Sequence, residues 1–244
     1  MTNNQEKKVK GVADLVFLLD VSGSMGPVIE DLVKNVSMFV DSLTTKDANN
    51  SCPIKDWRGK VVGYRDIECD GSQWLVDNPF VRDAGDLKVQ LAKLKAEAGG
   101  DEPESLLDAI YRVASMSSTD KGSESPDSWR YRRDATRVVI VFTDASYKSS
   151  FALPDSGGTG GLADIKNAIT SNRIVLAVFS PDMPCYDEFS DVDGSEFEMI
   201  PYDKSDPQGP IKALRDYTSN TDNFKHVLKA LAASISKSAD FELI

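Results

Sequence analysis

Oxygen-bearing side chains occupy alternate positions in the segment 20–25, Asp-Val-Ser-Gly-Ser-Met, directly after an apolar run. The Asp20 carboxylate and the Ser22 and Ser24 hydroxyls can point the same way from a loop, and Gly23 lets the backbone turn tightly between them. Such oxygens are hard ligands that suit Mg²⁺ or Mn²⁺. Serines in this position also commonly cap a following helix. The segment alone leaves metal binding and helix capping equally open.

A second carboxylate, Asp144, follows another apolar run at 138–142, Val-Val-Ile-Val-Phe. Alone, Asp144 is typical of a helix cap or a turn. If the two runs are neighbouring parallel strands, however, Asp20 and Asp144 end close together, and like charges placed so close need a cation to neutralise them. The pair therefore favours a metal site more than either residue does singly.

A third group of acids, Asp101, Glu102 and Glu104, lies immediately before a helical pattern. Carboxylates at this place could complete an oxygen-rich cation site. They also complement the positive end of a helix dipole, so a purely structural role stays open.

The elements that would position these residues follow from the apolar periodicity. Strands are predicted at 13–20, 57–66 (pairing at an edge), 138–142, 174–179 and 197–200, and helices at 28–43, 86–95, 103–117, up to 171 and at 224–235. The segment 117–134 is predicted to be an exposed loop. Unbroken apolar strands alternating with helices predict a doubly wound α/β fold, a mostly parallel sheet flanked by helices on both faces. In such folds ligands bind beyond the carboxyl ends of the strands, where these acids lie.

Length and charge restrict the function classes. A chain of 244 residues fits one α/β domain, which we place at 12–240 after a polar tail at 1–11. With 39 acidic against 28 basic side chains, the net charge of −11 disfavours binding to nucleic acid or to an anionic membrane. No apolar stretch is long enough to span a membrane.

The cysteines and the first ten residues bear on the redox state and the cellular location. The three cysteines, Cys52, Cys69 and Cys185, are odd in number and far apart, which favours reduced thiols. The first ten residues lack the apolar core of a secretory signal, so a cytoplasmic location is expected. The single histidine, His226, lies in a helical pattern, which disfavours mechanisms that need a histidine base.

These motifs resemble the von Willebrand factor type A (vWA) domain with a metal-ion-dependent adhesion site, MIDAS. The resemblance runs from about Val12 through the C-terminal helix, and its most specific part is the Asp-x-Ser-x-Ser motif. It implies that Asp20, Ser22 and Ser24 form the first metal-binding loop and that Asp144 supplies the third. It also implies a Rossmann-like fold and a bound divalent cation, Mg²⁺ first, with Mn²⁺ or Ca²⁺ as alternatives.

The second loop resembles the version found in integrin β subunits. There a glutamate after a proline binds the ion, which implies Glu104 as the ligand here, with Asp101 as the alternative. The aspartates of the neighbouring integrin site are replaced by Pro27 and Val28. The motif Gly-Tyr-Arg-Asp at 63–66, found in intracellular relatives, implies either that Asp66 extends the metal site or that a salt bridge closes the strand.

The function implied is a binding module and not an enzyme. An open coordination position on the ion would accept a carboxylate of a partner protein. One alternative is an adaptor in a larger intracellular assembly beside a ring-forming ATPase. Another is magnesium-dependent phosphoryl transfer, which is disfavoured because Ser22 stands where that chemistry needs a second aspartate. Candidate partner contacts are Met25, Trp74, Tyr147 and Phe151, with ordinary packing as the alternative.

Overall fold

The structure is a computed structural model. It describes residues 11–44, 54–97, 102–153, 157–189, 192, 195–220 and 222–223, and for 36–44 the backbone alone. The alternative ligand Asp101, the predicted helix at 224–235, Cys52 and His226 lie outside the described residues.

Strands and helices alternate along the described chain. The strands are β1 (Val12–Asp20), β2 (Asp56–Tyr64), β3 (Leu75–Asp77), β4 (Thr136–Phe142), β5 (Ser150–Ala152), β6 (Thr159–Gly161), β7 (Ile174–Pro181) and β8 (Glu196–Ile200). The helices are α1 (Gly26–Thr44), α2 (Ile67–Asp70), α3 (Ala84–Lys93), α4 (Leu106–Ala114), α5 (Leu162–Asn172) and α6 (Gly209–Ser219).

Six strands form the central sheet in the order β3-β2-β1-β4-β7-β8, with only the short β3 antiparallel to its neighbour. Because β1, β4 and β7 are apolar on both faces, helices must cover both sides. One face of β1, including Phe17 and Leu19, shares its apolar layer with α1, α3 and α6. The other face, including Val16 and Leu18, packs in the layer that holds α4 and α5. The predicted doubly wound α/β fold is confirmed.

The strand register places Asp20 and Asp144 at the carboxyl end of the sheet. Leu19 of β1 pairs with Phe142 of β4, and Asp20 pairs with Tyr64 of β2. Asp20 follows Leu19 by one residue and Asp144 follows Phe142 by two, so both lie at the same end of two neighbouring strands. The expectation that the two apolar runs are neighbouring parallel strands is confirmed.

Several elements differ from the sequence-based expectation. The second strand is not at an edge, because β3 pairs with its outer side. The segment 117–134 is not simply an exposed loop: Trp129 and Arg130 are buried, and the Trp129 indole donates to the Val113 carbonyl. The small β5–β6 hairpin and α6 were not predicted.

No helix among the described residues combines the length and the apolar character needed to cross a bilayer.

Candidate metal centre

The first loop holds Asp20 in a fixed orientation. The Ser22 backbone N–H donates to Asp20 Oδ1 at 2.9 Å, and the Thr143 hydroxyl donates to Oδ2 at 2.9 Å. The Ser22 and Ser24 hydroxyl oxygens lie 3.3 Å apart. Ser22 precedes a short 3₁₀ helix without making a side-chain capping hydrogen bond, so its hydroxyl is not explained by capping.

The second and third loops are joined by main-chain hydrogen bonds. The Glu104 N–H donates to the Ser146 carbonyl at 2.9 Å, and the Lys148 N–H donates to the Glu104 carbonyl at 3.0 Å. A Glu102 carboxylate oxygen accepts from the Ser146 N–H at 3.3 Å and from its hydroxyl at 3.1 Å. This pairing holds Glu104, which lies just before α4, against the loop that bears Asp144.

Two of the predicted ligands have a buried carboxylate oxygen without any hydrogen-bond partner. These atoms are Glu104 Oε2 and Asp144 Oδ1, on side chains that are almost fully buried. Leaving a buried acceptor unpaired is costly, and the cost is higher for a charged group. Because Glu104 Oε2 accepts no hydrogen bond from the start of α4, helix capping does not explain this oxygen.

The pKa of each of the three carboxyl groups is raised, in every case mainly by burial. Burial, followed by the negative charge of Asp144, raises the pKa of Asp20 to about 7. Burial, followed by the charge of Asp20, raises the pKa of Glu104 to about 8. Burial also raises the pKa of Asp144, although a hydrogen bond from Ser24 opposes the shift. Burial and mutual repulsion disfavour the ionised forms of neighbouring carboxyl groups, and a bound divalent cation would remove that penalty.

Carboxylates alone do not make a complete site. Among the described residues, no three His, Cys, Asp or Glu side chains are placed to hold a metal ion by themselves. Any ion at this edge therefore depends on the serine hydroxyls and on water as well, a mixture of oxygen ligands that Mg²⁺ accepts.

Asp66 lies beside this group but is engaged elsewhere. Its Oδ1 accepts from Lys148 Nζ at 2.6 Å and from the Glu68 N–H at 2.8 Å. Although burial acts in the opposite direction, these bonds keep the pKa of Asp66 below its ordinary value. Arg65 instead donates to the Lys95 carbonyl at 3.2 Å. Salt bridges do follow the strand, but not between these two residues: Asp66 pairs with Lys148, and Arg65 lies 3.8 Å from Asp70 and 3.7 Å from Glu97.

Sequence reasoning did not find Thr143 or Lys148 as parts of this neighbourhood. Thr143 could have been noticed as a hydroxyl that interrupts an apolar run just before Asp144. Lys148 gave no local signal, because its partners lie in other loops.

The proposed partner contacts are mostly core residues. Met25, Trp74 and Phe151 are buried, so ordinary packing is the correct interpretation for them. Tyr147 is partly buried; its hydroxyl donates to the Cys185 carbonyl at 2.5 Å, and its ring packs edge-on against Tyr186 and Phe189.

The fold matches solved structures of proximal thread matrix protein 1 from the mussel byssus. One has a TM-score of 0.54 at 14% identity, covering 93% of this chain and 49% of that chain. Another, with a zinc-occupied MIDAS motif, has a TM-score of 0.52 at 11% identity, with the same two coverages of 93% and 49%. The chain has a vWA-like fold. It spans about half the length of that matrix protein.

In sequence, this vWA-like chain matches the alpha-protein kinase vwkA of Dictyostelium discoideum. The match is 24% identical over 132 residues, which is 54% of this chain and 18% of the kinase. No protein-family model matches the sequence.

Proposed function

We propose that this chain is a metal-dependent protein-binding module. Asp20, Ser22, Ser24, Glu104 and Asp144 hold one divalent cation, Mg²⁺ in the first place and Mn²⁺ or Ca²⁺ as substitutes. The cation keeps an open position that accepts a carboxylate of a partner protein. We place this activity in the single domain 12–240 and in the cytoplasm, and nucleic acid and membranes are not among its partners.

The unpaired Glu104 Oε2 and Asp144 Oδ1 carry this proposal. They come from two different loops that main-chain hydrogen bonds hold together, and each carboxyl group interacts electrostatically with Asp20 or with a neighbouring acid. Two serine hydroxyls lie on the same loop as Asp20. A dication satisfies these oxygens together, whereas a water molecule would leave the negative charge in place.

When bound, the cation supplies a positive charge that attracts an oxygen of the partner. The protein's residues fix its surroundings: Thr143 and the Ser22 N–H hold Asp20, and the paired loops hold Glu104. Three carboxylates leave the loaded site with a formal charge of −1. We therefore expect a weaker attraction for the partner's carboxylate than a site with a neutral second-loop ligand would have.

The enzyme alternative is less well supported. A phosphoryl-transfer aspartate must be reached by the substrate, but Asp20 is fully buried, and Ser22 stands where that chemistry needs a second aspartate. The adaptor alternative, in a larger ATPase-linked assembly, shares the same metal site and differs only in the identity of the partner.

Titration calorimetry of Mg²⁺ into the wild-type chain and into Asp20→Ala tests the metal. We expect one ion on the wild type and an affinity reduced by more than about a hundredfold in the variant. The control is Asp31→Ala, because Asp31 lies on α1 and pairs with Lys34. Equal binding by wild type and Asp20→Ala would remove the proposal.

A fluoroacetate probe tests the open position. With the Mn²⁺-loaded chain, we expect the ¹⁹F line of fluoroacetate to broaden more than it does with Mn²⁺ and Asp20→Ala, and excess acetate should reverse the broadening. Identical broadening in both samples would show that the bound ion offers no position to a carboxylate.

A further inference from the structure

The Lys148 ammonium lies within the acids that border the candidate metal centre. Its Nζ is 2.6 Å from Asp66 Oδ1 and 2.8 Å from Glu68 Oε2. The Asp66 side chain is 6% exposed and the Lys148 side chain 19%, whereas Glu68 is 79% exposed. The contact with Asp66 is therefore largely shielded from water, where a charge pair is stronger than on the surface.

Lys148 also connects three loops. Its backbone N–H donates to the Glu104 carbonyl at 3.0 Å, while its side chain reaches Asp66 after β2. The next residue of the second loop, Ser105, accepts from the Ile67 N–H at 3.0 Å and contacts Asp66 Oδ1 at 3.4 Å. One residue thus joins the segment after β4 to both the Glu104 loop and the Asp66 loop.

The acids around this ammonium are more numerous than the bases. Asp66, Glu68 and Asp70 come from one short segment. The negative charges of Asp66 and Asp70 contribute to the raised pKa of Glu104. Asp70 Oδ2 is buried without a hydrogen-bond partner, and Arg65 Nη1 lies 3.8 Å from its other oxygen. Without Lys148, Asp66 and Glu68 would lose the ammonium that both of them contact.

We propose that Lys148 is a positioning residue whose ammonium takes the place of a second cation beside the metal centre. It keeps Asp66 out of the metal's ligand set and restricts the chain to one bound ion. This inference rests on the proposed metal-binding function. Removing the ammonium makes Asp66 Oδ1 and Glu68 Oε2, which it contacts at 2.6 and 2.8 Å, available to a divalent ion whose remaining ligands are water molecules.

The test counts bound Mn²⁺ by electron paramagnetic resonance, from the loss of the free-ion signal at about 1 mM metal, a concentration at which weak oxygen sites fill. We expect one ion on the wild type, two on Lys148→Met, one on Lys148→Arg, and one again on the double variant Lys148→Met with Asp66→Asn. Methionine keeps most of the lysine stem, and circular dichroism checks that each variant is folded.

Each outcome decides a separate claim. One ion on both the wild type and folded Lys148→Met would overturn the role of Lys148 and leave the metal site intact. Two ions on the wild type would overturn it without any variant. A wild-type chain that binds no Mn²⁺ would instead overturn the proposed function on which the inference rests.

Discussion

Burial and neighbouring negative charge raise the pKa of Asp20 to about 7 and the pKa of Glu104 to about 8. Between their ordinary values near 4 and these raised values, the folded chain keeps protons that the unfolded chain has lost. The stability of the metal-free protein should therefore fall as the pH rises through this window. Below it, both states are protonated and the penalty disappears.

Thermal unfolding measures this effect. In a chelator, we expect a higher midpoint at about pH 5.5 than at about pH 8.5. Saturating Mg²⁺ should raise the midpoint most at the higher pH, because the carboxylates must ionise to bind the ion. If the protein in chelator unfolds at the same temperature at both pH values, the pKa values of the two acids are not raised by burial in the folded state.

The Thr143 hydroxyl donates to Asp20 Oδ2 at 2.9 Å and accepts from the N–H of Ala145, which follows Asp144, at 3.2 Å. Thr143→Val keeps the shape and removes both bonds, so we expect Mg²⁺ affinity to fall about 10–100-fold, as for other residues that orient a metal ligand. Thr143→Ser retains the hydroxyl and should bind nearly as the wild type does. Calorimetry that finds valine and serine variants equivalent would show that the Thr143 hydroxyl does not orient Asp20.

At the scale of elements, β2 approaches the first loop very closely at Gly63. A Cβ there would lie 2.9 Å from Leu94 Cδ2 and 3.1 Å from Val21 Cγ1, and Val21 directly follows Asp20. We expect Gly63→Ala to lower the free energy of unfolding by about 1–3 kcal/mol through overpacking, and to weaken Mg²⁺ binding by displacing the loop.

Gly59, in the same strand, is the matched control. Its Cβ would be no closer than 3.4 Å to any neighbour, an ordinary contact with Leu87 and Trp57. Urea unfolding and calorimetry on both variants should separate the two positions. If Gly59→Ala is as harmful to metal binding as Gly63→Ala, crowding at Val21 is not the cause.

The elements show what sequence alone could predict. The strands β1, β4 and β7 were predicted because long apolar runs give a strong signal, and the Asp-x-Ser-x-Ser spacing marked the first loop locally. The hairpin β5–β6 and the edge strand β3 have three residues per strand, too few for a periodic pattern. Helix α6 lies in a segment whose prolines obscured it, although Pro210 only occupies its first turn.

The candidate site also contains residues that the sequence could predict and residues that it could not. Asp20, Ser22 and Ser24 could be grouped from their spacing, and Glu104 from a family resemblance. The roles of Thr143 and Lys148 depend on hydrogen bonds between segments that are distant in sequence, which no local pattern encodes.

At the scale of the whole molecule, the two ends of β1 each hold a buried aspartate, but the aspartates have different neighbours. At the start of the strand, the fully buried Asp14 accepts from Arg58 at 2.8 Å and from Arg130 at 2.6 Å. At its end, Asp20 accepts hydrogen bonds from the neutral groups Ser22 N–H and Thr143 hydroxyl, and the charge of the neighbouring Asp144 acts on it. Protein cations stabilise the first end, and the proposed metal ion the second.

Asp14→Asn tests this separation. It leaves two buried guanidinium groups without their shared anion, so we expect a loss of about 3–5 kcal/mol in the free energy of unfolding. The control is Arg82→Ala: Arg82 is 48% exposed and pairs with Asp56 and Glu124 near the same end, and we expect a change within about 1 kcal/mol. Mg²⁺ affinity should be unchanged in both. A loss of Mg²⁺ binding in folded Asp14→Asn would contradict the independence of the two ends.

The most direct measurement is an anomalous difference map from crystals grown with Mn²⁺. The account predicts a single strong peak at the carboxyl edge of the sheet, bounded by oxygens of Asp20, Ser22, Ser24, Glu104 and Asp144, directly or through one water. A map with ordered side chains at this edge and no peak between them, although Mn²⁺ is present in excess, would contradict it.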